Sequence, residues 1–141
     1  MASESLHCTL AFLGRIEARQ LEDVLAAAER VRGDAFNLDF STLDFWPHNR
    51  IVWSGTGSTE PALFELAASL RDALLGTIPI PVFSTPHITL IRDAERAPSL
   101  HDFATVPWHC NEFVLARSKK KDASGARYEL IARWPLAGGG E

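Results

Sequence analysis

Two tetrapeptides of the same pattern, histidine-x-threonine-leucine, occur 80 positions apart in the 141-residue chain. They are His7-Cys8-Thr9-Leu10 and His87-Ile88-Thr89-Leu90. Alternate residues of a β-strand point to the same face, so each histidine shares a face with its threonine. The other two positions of each tetrapeptide are apolar, as expected for a face that packs on a core. Each tetrapeptide therefore predicts a strand with one polar face and one buried face.

The residue types on the polar faces suit the cleavage of a phosphodiester. Histidine takes up and releases a proton near neutral pH, so two imidazoles can serve as general base and general acid. Threonine hydroxyls can hydrogen-bond the non-bridging oxygens of a phosphate held between them. A single histidine at a strand end more often only bonds a backbone carbonyl, but two such tetrapeptides in one chain are rare by chance. We therefore expect the two strands to lie side by side and line a shared groove.

The remaining sequence predicts the elements that position these strands. Apolar residues at helical spacing predict one helix over 17–32 and another that is capped by Ser58 or Thr59 and ends at Gly76. Alternation predicts two hairpins, one of residues 36–46 and 51–55 with a slip near Ser41, the other of residues 113–116 and 128–134. Strands are also predicted over 6–13 and 87–92, and a surface loop over 93–107. The order of these elements, with one tetrapeptide in each half, indicates two related lobes.

The composition is that of a globular protein. The chain is 46% hydrophobic and 23% charged, which argues against a disordered or fibrous protein, and its length suits one domain. No apolar run approaches the roughly 20 residues that span a bilayer, and residues 1–5 do not resemble a signal peptide. Two cysteines are too few for a disulfide framework, which favours a reducing cytoplasm. The formal net charge of −4 disfavours binding of nucleic acid by bulk charge alone.

The sequence indicates neither a metal nor a cofactor. It contains no C-x-x-C or H-E-x-x-H spacing, no glycine-rich phosphate loop and no G-x-S-x-G turn. His109-Cys110 repeats the His7-Cys8 dipeptide, but adjacent residues of a strand point to opposite faces and do not readily bind one ion. Cys8 and Cys110 are therefore interpreted as small buried residues.

Four segments resemble one known family. His7–Gly14, H-C-T-L-A-F-L-G, resembles the first motif of the 2′-5′ RNA ligase and RNA 2′,3′-cyclic phosphodiesterase family of two-histidine phosphoesterases. Pro86–Arg92, P-H-I-T-L-I-R, resembles its second motif. The strand of residues 50–53, which lies between the motifs, and the closing hairpin of residues 118–129 are similar to the family as well. The resemblance runs in order over nearly the whole chain. It implies an α+β fold with two pseudo-symmetric lobes of antiparallel sheet and helices around a central cleft.

The resemblance also implies an activity. Members of the family hydrolyse RNA 2′,3′-cyclic phosphate ends to 2′-phosphomonoesters without a metal or cofactor, and they can reversibly form 2′-5′ linkages. His7 is then the expected general acid and His87 the expected base, an order that the residues alone leave open. Thr9 and Thr89 are expected to hold the phosphate, and Arg92 lines up with an arginine that contacts phosphate in relatives.

Aromatic and basic residues outside the motifs have two interpretations each. Phe12 and the Phe45–Trp46 pair are candidates for stacking on a terminal base, although such aromatics more often belong to the core. The run Lys119–Lys121, with Arg117 and Arg127 nearby, either guides an RNA backbone to the cleft or forms a solvated loop.

The sequence departs from the family pattern at the amino terminus. Relatives have a strand and a helix ahead of the first motif, whereas His7 is preceded by six residues. We therefore expect a single two-lobed domain over 1–141 that is short at its amino terminus, with 137–141 as a flexible tail. A monomer is expected, with dimerisation through the uncovered amino-terminal edge as the alternative.

The expected partners are RNA ends or nucleotides that carry a 2′,3′-cyclic phosphate, in the cytoplasm and away from membranes. Two alternative functions stay open. One is a phosphodiesterase that acts on small cyclic nucleotides or 2′-5′ oligoadenylates, and the other is an inactive module that binds RNA ends.

Overall fold

Two helices and six strands make up the described part of the chain. The computed structural model describes residues 6–56, 60–83, 85–96, 104–119 and 128–138. In chain order the elements are α1 (Ala18–Arg30), β1 (Phe36–Trp46), β2 (Ile51–Thr56), α2 (Pro61–Leu74), β3 (His87–Ile91), β4 (Val106–Cys110), β5 (Glu112–Ser118) and β6 (Tyr128–Pro135). The predicted α+β class is confirmed.

The strands form two antiparallel sheets. Four of them lie in the order β3-β2-β1-β4, and β5 pairs with β6. Both predicted hairpins are present, as β1–β2 and β5–β6. Strand β3, which carries the second tetrapeptide, pairs with β2 and so belongs to the same sheet as the first hairpin.

A β-bulge in β1 changes which side chains face the core. Phe40 pairs with Thr56 and Thr42 pairs with Gly55, so Ser41 is an extra residue in the ladder. The bulge confirms the predicted slip near Ser41. It shifts the alternation by one residue, because Phe40 faces the core before it and Leu43 does so after it.

The larger sheet therefore has one apolar face and one polar face. The apolar face packs on the two helices, and it includes Leu38, Phe40, Val52 and Ile88. The opposite face carries the side chains with chemistry. Cross-strand pairing places Thr42, Asp44, Trp46, Trp53, His87 and Thr89 on it.

The helices supply the apolar layer beneath the sheet. Helix α1 buries Val24, Ala27 and Ala28, and α2 buries Leu63, Leu66, Ala67, Leu70 and Leu74. Pro61 fits the first position of α2 because an N–H is not needed there. The cap of α2 is Glu60, whose carboxylate accepts from the N–H of Ala62 at 3.4 Å. Glu60 therefore takes the place of the expected cap, Ser58 or Thr59, and those two residues lie outside the described part of the chain. None of the described helices has the length and apolarity needed to cross a membrane.

Two sequence-based expectations about strands are wrong. The segment 6–13 does not form a regular strand, because within it only Cys8 makes a bridge, to Ile88. Part of the expected loop over 93–107 is instead the start of β4, an edge strand that pairs with the first half of β1. Pro107 weakened the strand pattern there, since proline has no N–H to donate and is tolerated in a sheet mainly at an edge.

The chain after β6 is anchored next to the end of α1. Leu136 is buried, and the N–H of Ala137 donates to the carbonyl of Gly33 at 2.9 Å. The carbonyl of Ala137 accepts from the N–H of Ala35 at 2.9 Å. Ala137, the first residue of the expected flexible tail, is therefore hydrogen-bonded to the segment that follows α1.

Candidate active site

The two tetrapeptides meet along the outer edge of β3. Cys8 forms an antiparallel bridge with Ile88 on the side of β3 away from β2. Extending this register by one residue in each direction places His7 opposite Thr89 and Thr9 opposite His87. Residues directly opposite each other share a face, so both histidines and both threonines point to the polar side of the sheet.

The register also sets the separation of the two histidines. His7 lies opposite Thr89, two residues from His87, so the histidines are diagonal neighbours. Diagonal neighbours on adjacent strands are about 7–8 Å apart. This spacing leaves room for one tetrahedral group between the two imidazoles.

The imidazole of His87 is held on two sides. Its Nδ1 lies 2.8 Å from the carbonyl oxygen of Thr85. A carbonyl oxygen only accepts, so Nδ1 carries a proton and donates it, which leaves Nε2 as the nitrogen that can exchange a proton. The ring of Trp46 meets the imidazole edge-to-face, with centroids 4.8 Å apart and planes at 77°.

The imidazole of His7 contacts the smaller sheet. Its ring centroid lies 4.7 Å from that of Tyr128, at an interplanar angle of 69°. Tyr128 is the first residue of β6. The two histidines are therefore contacted by aromatic rings from different sheets.

The two threonines lie at different depths. Thr89 is buried, with 9% of its surface exposed, and it pairs with Trp53 of β2. Thr9 is exposed. A phosphate between the histidines would meet one hydroxyl at the base of the groove and the other at its rim.

Strand β2 brings Trp53 next to the motifs, a contribution that the sequence analysis missed. Gly55 lies opposite His87, and the indole of Trp53 lies over Gly55. A Cβ at Gly55 would stand 2.8 Å from Cζ3 of Trp53 and 3.0 Å from Oγ1 of Thr42. Glycine is therefore what lets the indole lie across the sheet beside His87. The signal for this contact is the cross-strand register, which a single strand's pattern does not reveal.

The expected Phe45–Trp46 pair is divided between the two faces. Phe45 lies opposite Val52, a buried residue, whereas Trp46 lies on the polar face and stacks on Trp53 with centroids 4.5 Å apart. Adjacent strand residues point in opposite directions, so only Trp46 can take part in the site.

Comparison with known proteins identifies the family. The family model for LigT-like phosphoesterases matches residues 2–53. The chain is similar to the RNA 2′,3′-cyclic phosphodiesterase of Escherichia coli (strain K12), with 32% identity over 145 residues that cover 96% of this chain and 78% of the relative. The chain belongs to the LigT-like phosphoesterases. This confirms the resemblance to the two-histidine phosphoesterases.

Other LigT-like proteins agree in sequence and fold. The RNA 2′,3′-cyclic phosphodiesterase of Thermus thermophilus is 32% identical over 146 residues, which cover 94% of this chain and 73% of that protein. The crystal structure of E. coli LigT in its apo form superposes with a TM-score of 0.80 at 31% identity, covering 96% of this chain and 78% of LigT. LigT has also been solved in complex with 3′-AMP, with a TM-score of 0.79 over the same shares of both chains.

The other expected site residues of this LigT-like chain lie at the ends of the motifs. Arg92 directly follows β3, in a bend, and is exposed. Arg92 therefore does not lie on the strand, although the sequence predicted a strand over 87–92. Phe12 follows the first tetrapeptide and has 77% of its surface exposed. Phe12 therefore does not belong to the core, where such aromatic residues are more often found.

The basic cluster is only partly described. Lys120, Lys121 and Arg127 lie outside the described residues. Lys119 is exposed, and Arg117 pairs with Glu129 at 3.4 Å across the β5–β6 ladder. At Arg117 the positive charge is thus partly balanced by a carboxylate.

Both cysteines face the apolar side of the sheet. Burial raises the pKa of the Cys8 thiol, and a hydrogen bond from the backbone N–H of His87 offsets part of that rise. Burial, with a smaller contribution from the nearby Cys8, raises the pKa of Cys110 to about 11. Both thiols are therefore protonated and weakly nucleophilic at neutral pH, which agrees with their interpretation as small packing residues.

Two of the three remaining histidines, His48 and His109, have described positions. His109 is exposed, and its Nδ1 lies 2.7 Å from Oδ1 of Asn37. The His48 ring lies 6.3 Å from that of Trp46, and His101 is outside the described residues. Among the residues with described positions, no three histidine, cysteine or acidic side chains are grouped so that they could hold a metal ion.

Proposed function

We propose that the protein hydrolyses the 2′,3′-cyclic phosphate at RNA ends to a 2′-phosphomonoester, with His7 and His87 as its acid–base pair. The observation that supports this most directly is the bridge between Cys8 and Ile88, which turns both histidine–threonine pairs to one face. The names of the E. coli and T. thermophilus relatives agree with this activity.

The reaction needs one proton to be taken up and one to be released. In the proposed step, Nε2 of His87 removes a proton from water, and the water oxygen attacks phosphorus. The bond from phosphorus to O3′ breaks, and His7 gives its proton to O3′, so that the phosphate remains on O2′. In the ligation direction a ribose hydroxyl would replace water as the group that attacks phosphorus. The hydrogen bond from Nδ1 of His87 to the Thr85 carbonyl supports Nε2 as the reactive nitrogen.

The other proposed contacts are with the substrate. The hydroxyls of Thr9 and Thr89 hydrogen-bond the non-bridging oxygens as charge develops on them. The guanidinium of Arg92 adds a positive charge beside the phosphate, and Phe12, whose ring is exposed, is a candidate for stacking on a base. These groups bind one phosphate locally, which is compatible with the net charge of −4.

A second candidate is the same chemistry on small cyclic nucleotides. The complex of E. coli LigT with 3′-AMP favours it, because a mononucleotide binds to that relative. Comparing kcat/KM for an oligonucleotide with a 2′,3′-cyclic phosphate end and for a mononucleoside 2′,3′-cyclic phosphate separates the two substrates. A preference for the oligonucleotide supports the RNA-end activity.

We further propose that the protein acts as a monomer in the cytoplasm. The free thiols of Cys8 and Cys110 are compatible with a reducing compartment. Sedimentation of the purified protein at several concentrations tests the monomer.

The decisive experiment replaces each histidine in turn. His7→Ala and His87→Ala should each lower kcat by roughly 10²–10⁴-fold, the usual effect of losing one acid–base group. His109→Ala is the matched control, because His109 is exposed on β4, and it should keep full activity. Chromatography should identify a 2′-monophosphate as product, and excess chelator should leave the rate unchanged. Full activity in both single variants would refute the proposal, and product formation by the unmodified chain excludes an inactive binding module.

A further inference from the structure

Two indoles stack beside His87 on the polar face of the sheet. Trp46 and Trp53, the indole pair, have ring centroids 4.5 Å apart and planes at 29°. Both rings meet the His87 imidazole edge-to-face, with centroids at 4.8 Å for Trp46 and 6.0 Å for Trp53. A flat aromatic surface thus begins at His87, the proposed general base, and extends away from it.

The inner member of the indole pair is fixed by the sheet. Trp53 lies over Gly55 and pairs with Thr89, so neighbouring strands enclose its ring. Its Nε1 is buried and makes no hydrogen bond to the described residues. Packing rather than hydrogen bonding therefore holds Trp53 at this position, and Trp53 in turn supports Trp46.

The outer member is available to a ligand. Trp46 is the last residue of β1 and is only half-buried. One side of its indole rests on Trp53. The ring of His48 lies 6.3 Å away and is tilted by 41° rather than stacked on the indole, so a planar group can still stack on the half-buried ring. A ring that is already supported from below loses little conformational freedom when a ligand stacks on it.

A nucleobase is the planar group that the neighbouring chemistry would bring here. In a nucleoside 2′,3′-cyclic phosphate a single ribose ring joins the base to the reacting phosphate. A phosphate beside His87 therefore carries its base within reach of Trp46, whose ring contacts that histidine. Stacking on an aromatic ring tolerates any base and gains with the size of the base.

We propose that Trp46, supported by Trp53, binds the base of the nucleotide whose cyclic phosphate reacts, and favours purines over pyrimidines. This inference rests on the proposed function, since it assigns the site's substrate a nucleobase. Trp46 is then a specificity-determining residue that acts through substrate binding. The alternative role, in which Trp46 only orients the His87 imidazole, makes a different kinetic prediction.

The test compares substrates with and without a base. Trp46→Ala should raise KM for adenosine 2′,3′-cyclic phosphate by roughly 10- to 100-fold, the effect of losing one stacked base. The same variant should lower kcat/KM for glycerol 1,2-cyclic phosphate, which has no base, much less than kcat/KM for adenosine 2′,3′-cyclic phosphate, because only the contact of Trp46 with His87 is then lost. Trp46→Phe should restore part of the affinity, because it keeps an aromatic face.

Two control variants separate this site from other aromatic residues. Trp108→Ala removes an indole from the same sheet, but Trp108 pairs with Leu38 and faces the apolar side, so KM should not change. Phe12→Ala tests the other candidate ring. An equal loss of kcat on both substrates in Trp46→Ala would assign Trp46 to orienting His87, and a rise in KM with Phe12→Ala alone would place the base there. Either result overturns the proposal.

A binding measurement makes the inference independent of turnover. Adenosine 2′-monophosphate should quench the tryptophan fluorescence of the unmodified protein and of Trp108→Phe, but much less that of Trp46→Phe. Equal quenching in all three proteins would overturn the assignment. If the unmodified protein shows this Trp46-dependent quenching yet hydrolyses neither substrate, the proposed activity fails while the base site stands.

Discussion

The contact between Gly55 and Trp53 allows a quantitative test of how the sheet positions the site. In Gly55→Ala the new Cβ would lie 2.8 Å from Cζ3 of Trp53 and 3.0 Å from Oγ1 of Thr42. Carbon atoms in contact are normally about 3.5–4.0 Å apart, so the indole must retreat by about 1 Å. The retreat is opposed because Trp46 stacks on the other side of the ring.

Both stability and turnover should respond to that shift. Overpacking of this kind lowers the free energy of unfolding by about 1–3 kcal/mol. Trp53 is paired with Thr89 and its ring lies 6.0 Å from that of His87. A displacement of about 1 Å near the reacting groups can lower the rate by about 100-fold, so we expect kcat to fall by roughly 10- to 100-fold.

Urea denaturation and initial rates on a cyclic-phosphate-ended oligonucleotide measure the two effects. Gly76→Ala is the matched control, since a Cβ there meets nothing within 4 Å and the residue is exposed. It should change stability by less than about 0.5 kcal/mol and leave kcat unchanged. Adding Trp53→Phe to Gly55→Ala should recover stability, because the smaller ring lacks the clashing atom. If Gly55→Ala keeps both its stability and its kcat, Gly55 is not what holds the Trp53 indole beside His87.

Three further predictions concern the rest of the molecule. Phe40→Ala should lower the free energy of unfolding by about 3–5 kcal/mol in urea, because Phe40 is 2% exposed at the centre of the core; a loss below about 1 kcal/mol would contradict that position. Iodoacetamide should alkylate Cys110 at pH 8 roughly 100-fold more slowly than a free cysteine, with a rate that climbs toward its pKa of about 11; a rate that levels off near pH 9 would show an ordinary thiol. Arg133→Ala should change stability by less than about 1 kcal/mol, since its 2.8 Å ion pair with Glu112 is exposed to solvent; a larger loss in denaturant would indicate a role in packing.

Local patterns predicted most of the elements. The apolar spacing of α1 and α2 and the alternation in both hairpins identify them because each helix or strand buries one side of itself. The slip at Ser41 was visible for the same reason, since a bulge shifts the burial pattern within one strand. Strand β4 was missed because Val106, Pro107 and Trp108 are all exposed, so it has no alternation of burial to detect.

The sequence predicted only those features of the site that depend on the pattern within a single strand. The spacing of His7 with Thr9 and of His87 with Thr89 predicts which side chains share a face, and the family resemblance joins the two pairs. The indole pair depends on which residue of β2 lies opposite which residue of β1 and β3. That register is set by the bulge at Ser41, which the pattern of β1 does show, and by the shift between Val52 and Trp53, which has no clear signature in the pattern of β2.

The segment that carries His7 joins β3 through an isolated bridge, whereas β3 joins β2 through a ladder of pairs. A segment with so few shared backbone hydrogen bonds can open by itself while the hairpin and helices stay folded. The share of molecules with both histidines in register is then set by a local opening equilibrium, separate from global unfolding. Amide hydrogens around Cys8 should exchange with solvent faster than those of β2. On heating, catalytic competence should be lost before the sheet melts.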